Sequence, residues 1–205
     1  MKIGIMGGTF DPIHNGHLML GQEAFIQFHL DEIWFMPNGN PPHKSKNSIQ
    51  SDAKHRAVMT ELAIRGNKNF RLELYETEQK GISYTYKTLE YFSKCRREDS
   101  FYFIIGADSL FALESWVHPE RIFQLCTILA AYRNEIDTPK KLESQIELLK
   151  EKYNADIRLL NTPLMKISSH ELREMMHKGQ AISNYVPHAV EKYIRKERLY
   201  GTENT

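Results

Sequence analysis

"KIGIMGGTFDPIHNGHL", residues 2–18, is the stretch that decides the fold. Lys2 to Met6 is an apolar run of strand length, and Gly7-Gly8 follows at once. From about Asn15 to Phe28 the residues Leu18, Phe25 and Phe28 recur on one side of a helix. A buried strand that passes over a glycine pair into a helix opens a parallel, crossover-connected sheet. Gly7-Gly8 lets backbone approach a ligand closely or take positive φ. His14 and His17, three apart at the helix start, put both rings on one face. Gly16 falls in the same first turn, where amide groups and the helix dipole attract anions. The stretch has neither the Gly-Lys-Ser/Thr ending of a P-loop nor a GxGxxG spacing. Two imidazoles beside helix-start amides suit a phosphate in transit. A zinc pair finds no third ligand by spacing, and two histidines that merely stand at a helix start are the plain alternative.

Outward from there, strands and helices alternate. Strands are expected at 32–37, 70–74, 101–106, 127–132 and 156–161. Helices are expected at about 52–65, 85–94, 119–126, 138–153, 168–178 and 187–197, with Pro119 and Pro139 in first turns and Thr138 as a cap. Residues 38–48, "NGNPPHKSKNS", read as a long polar loop of functional rather than connecting length. The pattern predicts an α/β fold: a doubly wound, mostly parallel sheet with C-terminal helices, whose ligands bind outside the carboxyl ends of the strands. One domain is expected over 1–200, with a loose tail at 201–205.

The 205 residues carry 27 basic and 26 acidic side chains, a net charge of +1, so nothing draws the chain toward nucleic acid or an anionic membrane. No apolar stretch reaches the roughly 20 residues of a membrane span, and residues 2–6 are too few for a signal sequence. A cytoplasmic location is expected. Cys95 and Cys126 show no metal or redox spacing and are expected to pack as reduced thiols. A homo-oligomer is compatible with the sequence.

A second motif lies about 150 positions beyond the first, "ISSHELR" at 167–173. Ser168 and Glu171 have capping-box spacing. Arg173 lies one turn past Ser169 on the same face, so a helix start, hydroxyls and a guanidinium can grip one polyphosphate. Gly7 to His17 resembles the GxFxPxHxGH signature of the nucleotidyltransferase superfamily, and 167–173 resembles its ISSTxxR signature, with His170 where Thr is usual. The stretches "PNGNPPHK" (37–44), "HRAVMTELA" (55–63), "SYTYKTL" (83–89) and "IIGADSLFALESW" (104–116) look like the bacterial nicotinate-mononucleotide adenylyltransferase family. The likeness covers about residues 2 to 200.

The resemblance implies a Rossmann-like nucleotidyltransferase fold and adenylyl transfer from ATP to nicotinate mononucleotide, giving nicotinate adenine dinucleotide and pyrophosphate. It assigns His14, His17 and Arg173 to catalysis, and Gly8, Thr9, Phe10, Gly16, Gly106, Asp108, Ser168 and Ser169 to ATP. Asn38, Asn40, Lys44, Tyr84, Thr85, Trp116 and Arg133 fall to the second substrate. Gly106 allows close approach and Asp108 accepts from ribose hydroxyls, or else caps the short helix after it. Trp116 stacks on the pyridine ring or sits in the core. The helix start at Tyr84 and Thr85 holds the nicotinate carboxylate. Lys44 reaches phosphate or stays solvated. Arg133 meets the substrate phosphate, although Arg133-Asn134-Glu135 departs from the Arg-Pro-Gly usual there. Mg2+ would be carried with ATP, with no metal ligand set in the chain. The other readings are transfer to nicotinamide mononucleotide or phosphopantetheine, and a nucleotide-binding regulator without turnover. His29, His43, His55, His118, His177 and His188 are expected at surface or structural positions.

Overall fold

Ile3 and Ile5, Phe101 to Ile105 and Ile128 to Ala131 are all buried. Runs apolar on both faces form the strands of a parallel sheet covered by helices on each side. The computed structural model describes residues 1–41, 49–131, 139–163 and 167–201. Its strands are β1 (Lys2–Gly8), β2 (Glu32–Pro37), β3 (Phe70–Leu72), β4 (Ser100–Gly106), β5 (Thr127–Ala131) and β6 (Ile157–Leu160). They form one sheet in the order β3-β2-β1-β4-β5-β6. β1 pairs with β4 in the register Ile5↔Phe103, β4 with β5 and β5 with β6, each in parallel. The order reverses between β1 and β4, the place where doubly wound sheets bind ligands beyond the carboxyl ends of their strands. Glycines stand at both of those ends, Gly7-Gly8 and Gly106.

The helices are α1 (Asn15–Gln27), α2 (Ala53–Ile64), α3 (Tyr75–Glu78), α4 (Thr85–Cys95), α5 (Ala107–Ala112), α6 (Pro119–Leu125), α7 (Pro139–Tyr153), α8 (Ser169–His177) and α9 (His188–Lys196). Asp52 caps α2 by accepting from the His55 amide at 2.8 Å. Pro119 opens α6, where its missing N–H costs nothing. Gly179, at φ +68, ends α8 as the Gly179 and Gln180 amides return to the carbonyls of Met176 and Met175. Thr138 lies outside the described residues, as does most of the expected 38–48 loop and the tail beyond Gly201. No described helix is long and apolar enough to cross a membrane.

Three expectations change. The strand at 70–74 stops at Leu72, because the Leu74 carbonyl accepts from the Thr77 and Glu78 amides and starts α3. Asp108 does not cap the helix after β4: Gly106 takes that place and Asp108 stands exposed inside its first turn. Cys95 is exposed at the last residue of α4, whereas Cys126 is buried. Burial pushes the Cys126 thiol well above its usual range, so it remains protonated and unreactive.

Chain contacts divide the molecule into two units. The first comprises Met1–Gly7, Leu20–Trp34 and Tyr84–Lys166. Its interior is built from Ile3, Ile104, Leu110, Ile122, Ile128, Leu149 and Leu160. The second comprises Gly8–Met19, Phe35–Ser83 and Ile167–Thr205, around Phe10, Ile13, Phe35, Met59, Leu172 and Ile194.

Candidate active site

The histidine motif and the serine–arginine motif both belong to the second unit. Leaving β1, the chain passes Gly8, where a Cβ would come within 2.6 Å of the Phe10 ring, so only glycine fits beside it. Phe10 is 1% exposed and lies at φ 52, a left-handed backbone unusual for an aromatic residue. Its ring packs against Phe35 and meets His17 edge-on, centroids 5.0 Å apart. The buried His14 ring lies against the His17 ring at 3.7 Å. His17 is half-buried, and its Nδ1 accepts the His14 main-chain N–H at 3.2 Å. A neutral imidazole that accepts at Nδ1 carries its proton on Nε2. His17 is thereby held as an Nε2–H donor. The Asn15 amide donates to the Tyr185 carbonyl at 2.8 Å, and Gly16 is buried in the turn.

At the other motif, Ser168 caps α8, its Oγ accepting from the Glu171 amide at 3.2 Å and donating to the Glu171 carboxylate at 2.7 Å. Ser169 Oγ donates to the Pro12 carbonyl at 2.9 Å, and Arg173 Nη1 donates to the Asp11 carbonyl at 2.6 Å. The two motifs are therefore joined directly, through main-chain oxygens two and three residues before His14. Thr9 is buried beside them. Asn38 donates its amide to the Gly8 carbonyl at 2.9 Å, and its Nδ2 lies 3.5 Å from Thr9 Oγ1. Asn40 is exposed and exchanges hydrogen bonds with Ser83. Between them, a Cβ on Gly39 would overlap the Glu76 carbonyl oxygen, which fixes glycine there.

Reading the sequence missed four residues of this unit. Asp11, 1% exposed, accepts at its carboxylate from the Gln50 and Ser51 amides and from the Ser51 and Tyr200 hydroxyls. Arg56, also 1% exposed, donates Nη1 to the Thr9 carbonyl at 2.8 Å and to Asn38 Oδ1 at 3.4 Å, and Nη2 to the Gly39 carbonyl at 3.2 Å. Burial pulls the Arg56 guanidinium below its ordinary value, against the opposing charge of Asp11. One signal for Arg56 was present: it stands three and four residues before the buried Met59 and Thr60, on the same helical face. Ser51 and Tyr200 carry no such local signal.

In the first unit, α4 begins at Thr85 with Tyr84 in the cap position, its own side chain making no capping hydrogen bond. Tyr84 is half-buried, with Lys87 Nζ 5.2 Å from its ring centre. A Cβ on Gly106 would meet open space. Trp116 is half-buried, edge-on to Phe103 at 6.2 Å. Lys44 and Arg133 lie outside the described residues. No three His, Cys, Asp or Glu side chains converge as metal ligands among the described residues.

The strand order 3-2-1-4-5-6 is that of a doubly wound, Rossmann-like nucleotide-binding sheet. The cytidylyltransferase-like family profile matches residues 5–175. A Lachnoclostridium phytofermentans protein named "Probable nicotinate-nucleotide adenylyltransferase" is 44% identical, over 97% of this chain and 98% of its own. A Clostridium kluyveri protein of the same name is 41% identical, over 98% and 99%. Among solved structures, the Plasmodium falciparum nicotinic acid mononucleotide adenylyltransferase complexed with NaAD superposes with a TM-score of 0.78 at 23% identity, over 98% of both chains. This chain belongs to the cytidylyltransferase-like family and, within it, to the nicotinate-nucleotide adenylyltransferases.

Proposed function

We propose that this protein transfers the adenylyl group of ATP to nicotinate mononucleotide, a step of NAD biosynthesis, working in the cytoplasm as one nucleotidyltransferase domain over 1–200. The observation that carries the reading is the direct bonding of Ser169 and Arg173 to the turn that presents His14 and His17. An oxygen of the mononucleotide 5′-phosphate attacks the α-phosphorus of ATP in line. The new P–O bond forms as the bond to the β-phosphate bridging oxygen breaks, and pyrophosphate leaves with that electron pair. The attacking phosphate is already ionised near neutral pH, so neither a general base nor a covalent intermediate is required. The protein's share is positioning and charge stabilisation.

His17 Nε2–H and His14 meet the phosphates at the reacting centre. Arg173 and the α8 start at Ser168 and Ser169 take the departing pyrophosphate; the serine hydroxyls already serve the fold, so the helix-start amides make that contact. Main chain at Gly8, Thr9, Phe10 and Gly16 lies along the ATP phosphates, and Gly106 and Asp108 meet the ribose. Asn38 and Asn40 contact the nucleotides, while Lys44 and Arg133 are assigned to phosphate from the sequence. Mg2+ would be carried with ATP, and the buried Asp11 carboxylate is already occupied by four donors. Tyr84 and Thr85 hold the nicotinate carboxylate, and Trp116 stacks on its ring.

The deciding assay is pyrophosphate release with Mg-ATP and, in separate wells, nicotinate mononucleotide, nicotinamide mononucleotide or phosphopantetheine. Strong preference for the nicotinate form is expected. Activity mainly with another acceptor overturns the substrate, and ATP binding without release in any well points to a regulator. Trp116→Ala is expected to raise KM for the mononucleotide and leave KM for ATP within about twofold, since ring stacking contributes about 0.5–1.5 kcal/mol. An equal rise in both constants would remove Trp116 from the pyridine site.

A further inference from the structure

Trp116 leaves a 3₁₀ turn, Leu113–Ser115, that is only three residues long. So short a turn has little rigidity of its own. Within it, the Trp116 amide donates to the Leu113 carbonyl at 3.1 Å and the Ser115 hydroxyl to the Ala112 carbonyl at 2.6 Å. The course of the chain into Trp116 therefore depends on what the turn is fastened to. Leu113 is fully buried, and Glu114 reaches across to the end of α7. Glu114 Oε1 accepts from Lys152 Nζ at 2.7 Å and from the Tyr153 hydroxyl at 3.1 Å, and the Gln145 side chain adds a further hydrogen bond.

A single exposed ion pair would fix little. Here one carboxylate gathers donors from three residues of the same helix. The Lys152 bond, with that of Tyr153, holds the Glu114 carboxyl below its usual range, so it stays ionised near neutral pH. Tyr153 also has a second contact: its ring lies against Phe123 with centroids 4.9 Å apart. Phe123 is buried in α6, which begins just after Trp116. One tyrosine thus bonds the chain before Trp116 through its hydroxyl and packs on the chain after Trp116 through its ring. All of these residues lie in the first unit.

We propose that Glu114 and Tyr153 are positioning residues for the mononucleotide: together they fix the turn that presents Trp116 to the pyridine ring. The inference rests on the assignment of Trp116 to that ring made above. Neither residue touches substrate. Both act through Trp116, so their loss weakens the mononucleotide and spares ATP.

The test is a double-mutant cycle of Glu114→Ala with Trp116→Ala, and Tyr153→Phe beside it, assayed with Mg-ATP and nicotinate mononucleotide. Ring stacking is worth roughly a two- to tenfold factor in affinity, which bounds what positioning the ring can contribute. Glu114→Ala is expected to raise KM for the mononucleotide about threefold, with KM for ATP within about 1.5-fold, and to add less than about 1.5-fold in the Trp116→Ala background. Tyr153→Phe keeps the ring against Phe123, loses only the hydroxyl, and is expected to raise the same KM about twofold. Equal factors in both backgrounds, or equal rises for both substrates, would overturn the proposal by making the α7 contacts purely structural. If Trp116→Ala itself leaves KM for the mononucleotide unchanged, the assignment of Trp116 fails and this proposal falls with it. If Trp116→Ala raises it and either Glu114→Ala or Tyr153→Phe does not, only the proposal falls. Should Glu114→Ala fail to fold, Tyr153→Phe takes its place in the cycle and must show the same dependence on Trp116.

Discussion

His17→Ala is expected to lower kcat by roughly 10²–10³-fold while the fold survives, the loss seen when one preorganised donor to a developing charge is removed. The effect should be large because the donor is fixed from three sides. The His14 amide bonds Nδ1 and sets the tautomer, the His14 ring lies against one face, and Phe10 meets the ring edge-on. Such a group needs little reorganisation when charge shifts toward the leaving pyrophosphate. The half-buried ring contributes less to the core than Phe10 or Ile13, so thermal unfolding should move little. Steady-state kinetics alongside a melting curve checks both. Near-normal turnover would remove His17 from the reaction.

Arg56→Met is expected to cost roughly 3 kcal/mol of stability, read as a fall in Tm of roughly 6–12 °C. Its guanidinium joins the chain after β1, at the Thr9 carbonyl, to the chain after β2, at Asn38 and the Gly39 carbonyl. Methionine fills much of the space but leaves these acceptors without a donor, and a stranded buried acceptor costs about 1–3 kcal/mol. A gain offsets part of the loss, since the desolvated charge that depresses the Arg56 pKa is no longer buried. Arg56→Lys should fall between, because one ammonium cannot reach acceptors on both segments at once. A melting temperature unchanged by Arg56→Met would mean that these bonds carry no net stability.

Local chemistry was legible in the sequence where a few neighbouring residues decide the outcome. The histidines three apart and the Ser168–Glu171 cap each follow from spacing alone and form as spacing predicts, whereas Gly7-Gly8, expected just past the strand, are the last two residues of β1. The failures are of two kinds. Short elements such as α3 and α5 have too few residues for a periodic signal, so the sequence pattern runs β3 on to residue 74 and offers Asp108 as a cap where Gly106 stands. Buried polar hubs are set by distant partners. Arginine is so seldom buried that Arg56 reads as a surface residue until its helical register with Met59 is considered. Asp11 meets Ser51 across 40 positions and Tyr200 across 189, and no pattern within a window of sequence encodes either meeting.

Those long separations bear on how the protein comes into being. A ribosome delivers the histidine turn long before Tyr200, which follows Asp11 by 189 residues. The early segment thus emerges without the partners that seat Asp11, and closing loops of 162 and 189 residues is a late, entropically costly event. A polypeptide released a few residues short of position 200 still contains every strand of the sheet, yet it lacks the phenol that completes the carboxylate's shell. The buried carboxylate is therefore seated only once residue 200 has emerged, and a cut between β6 and Tyr200 would unseat it while leaving β1 to β6 intact.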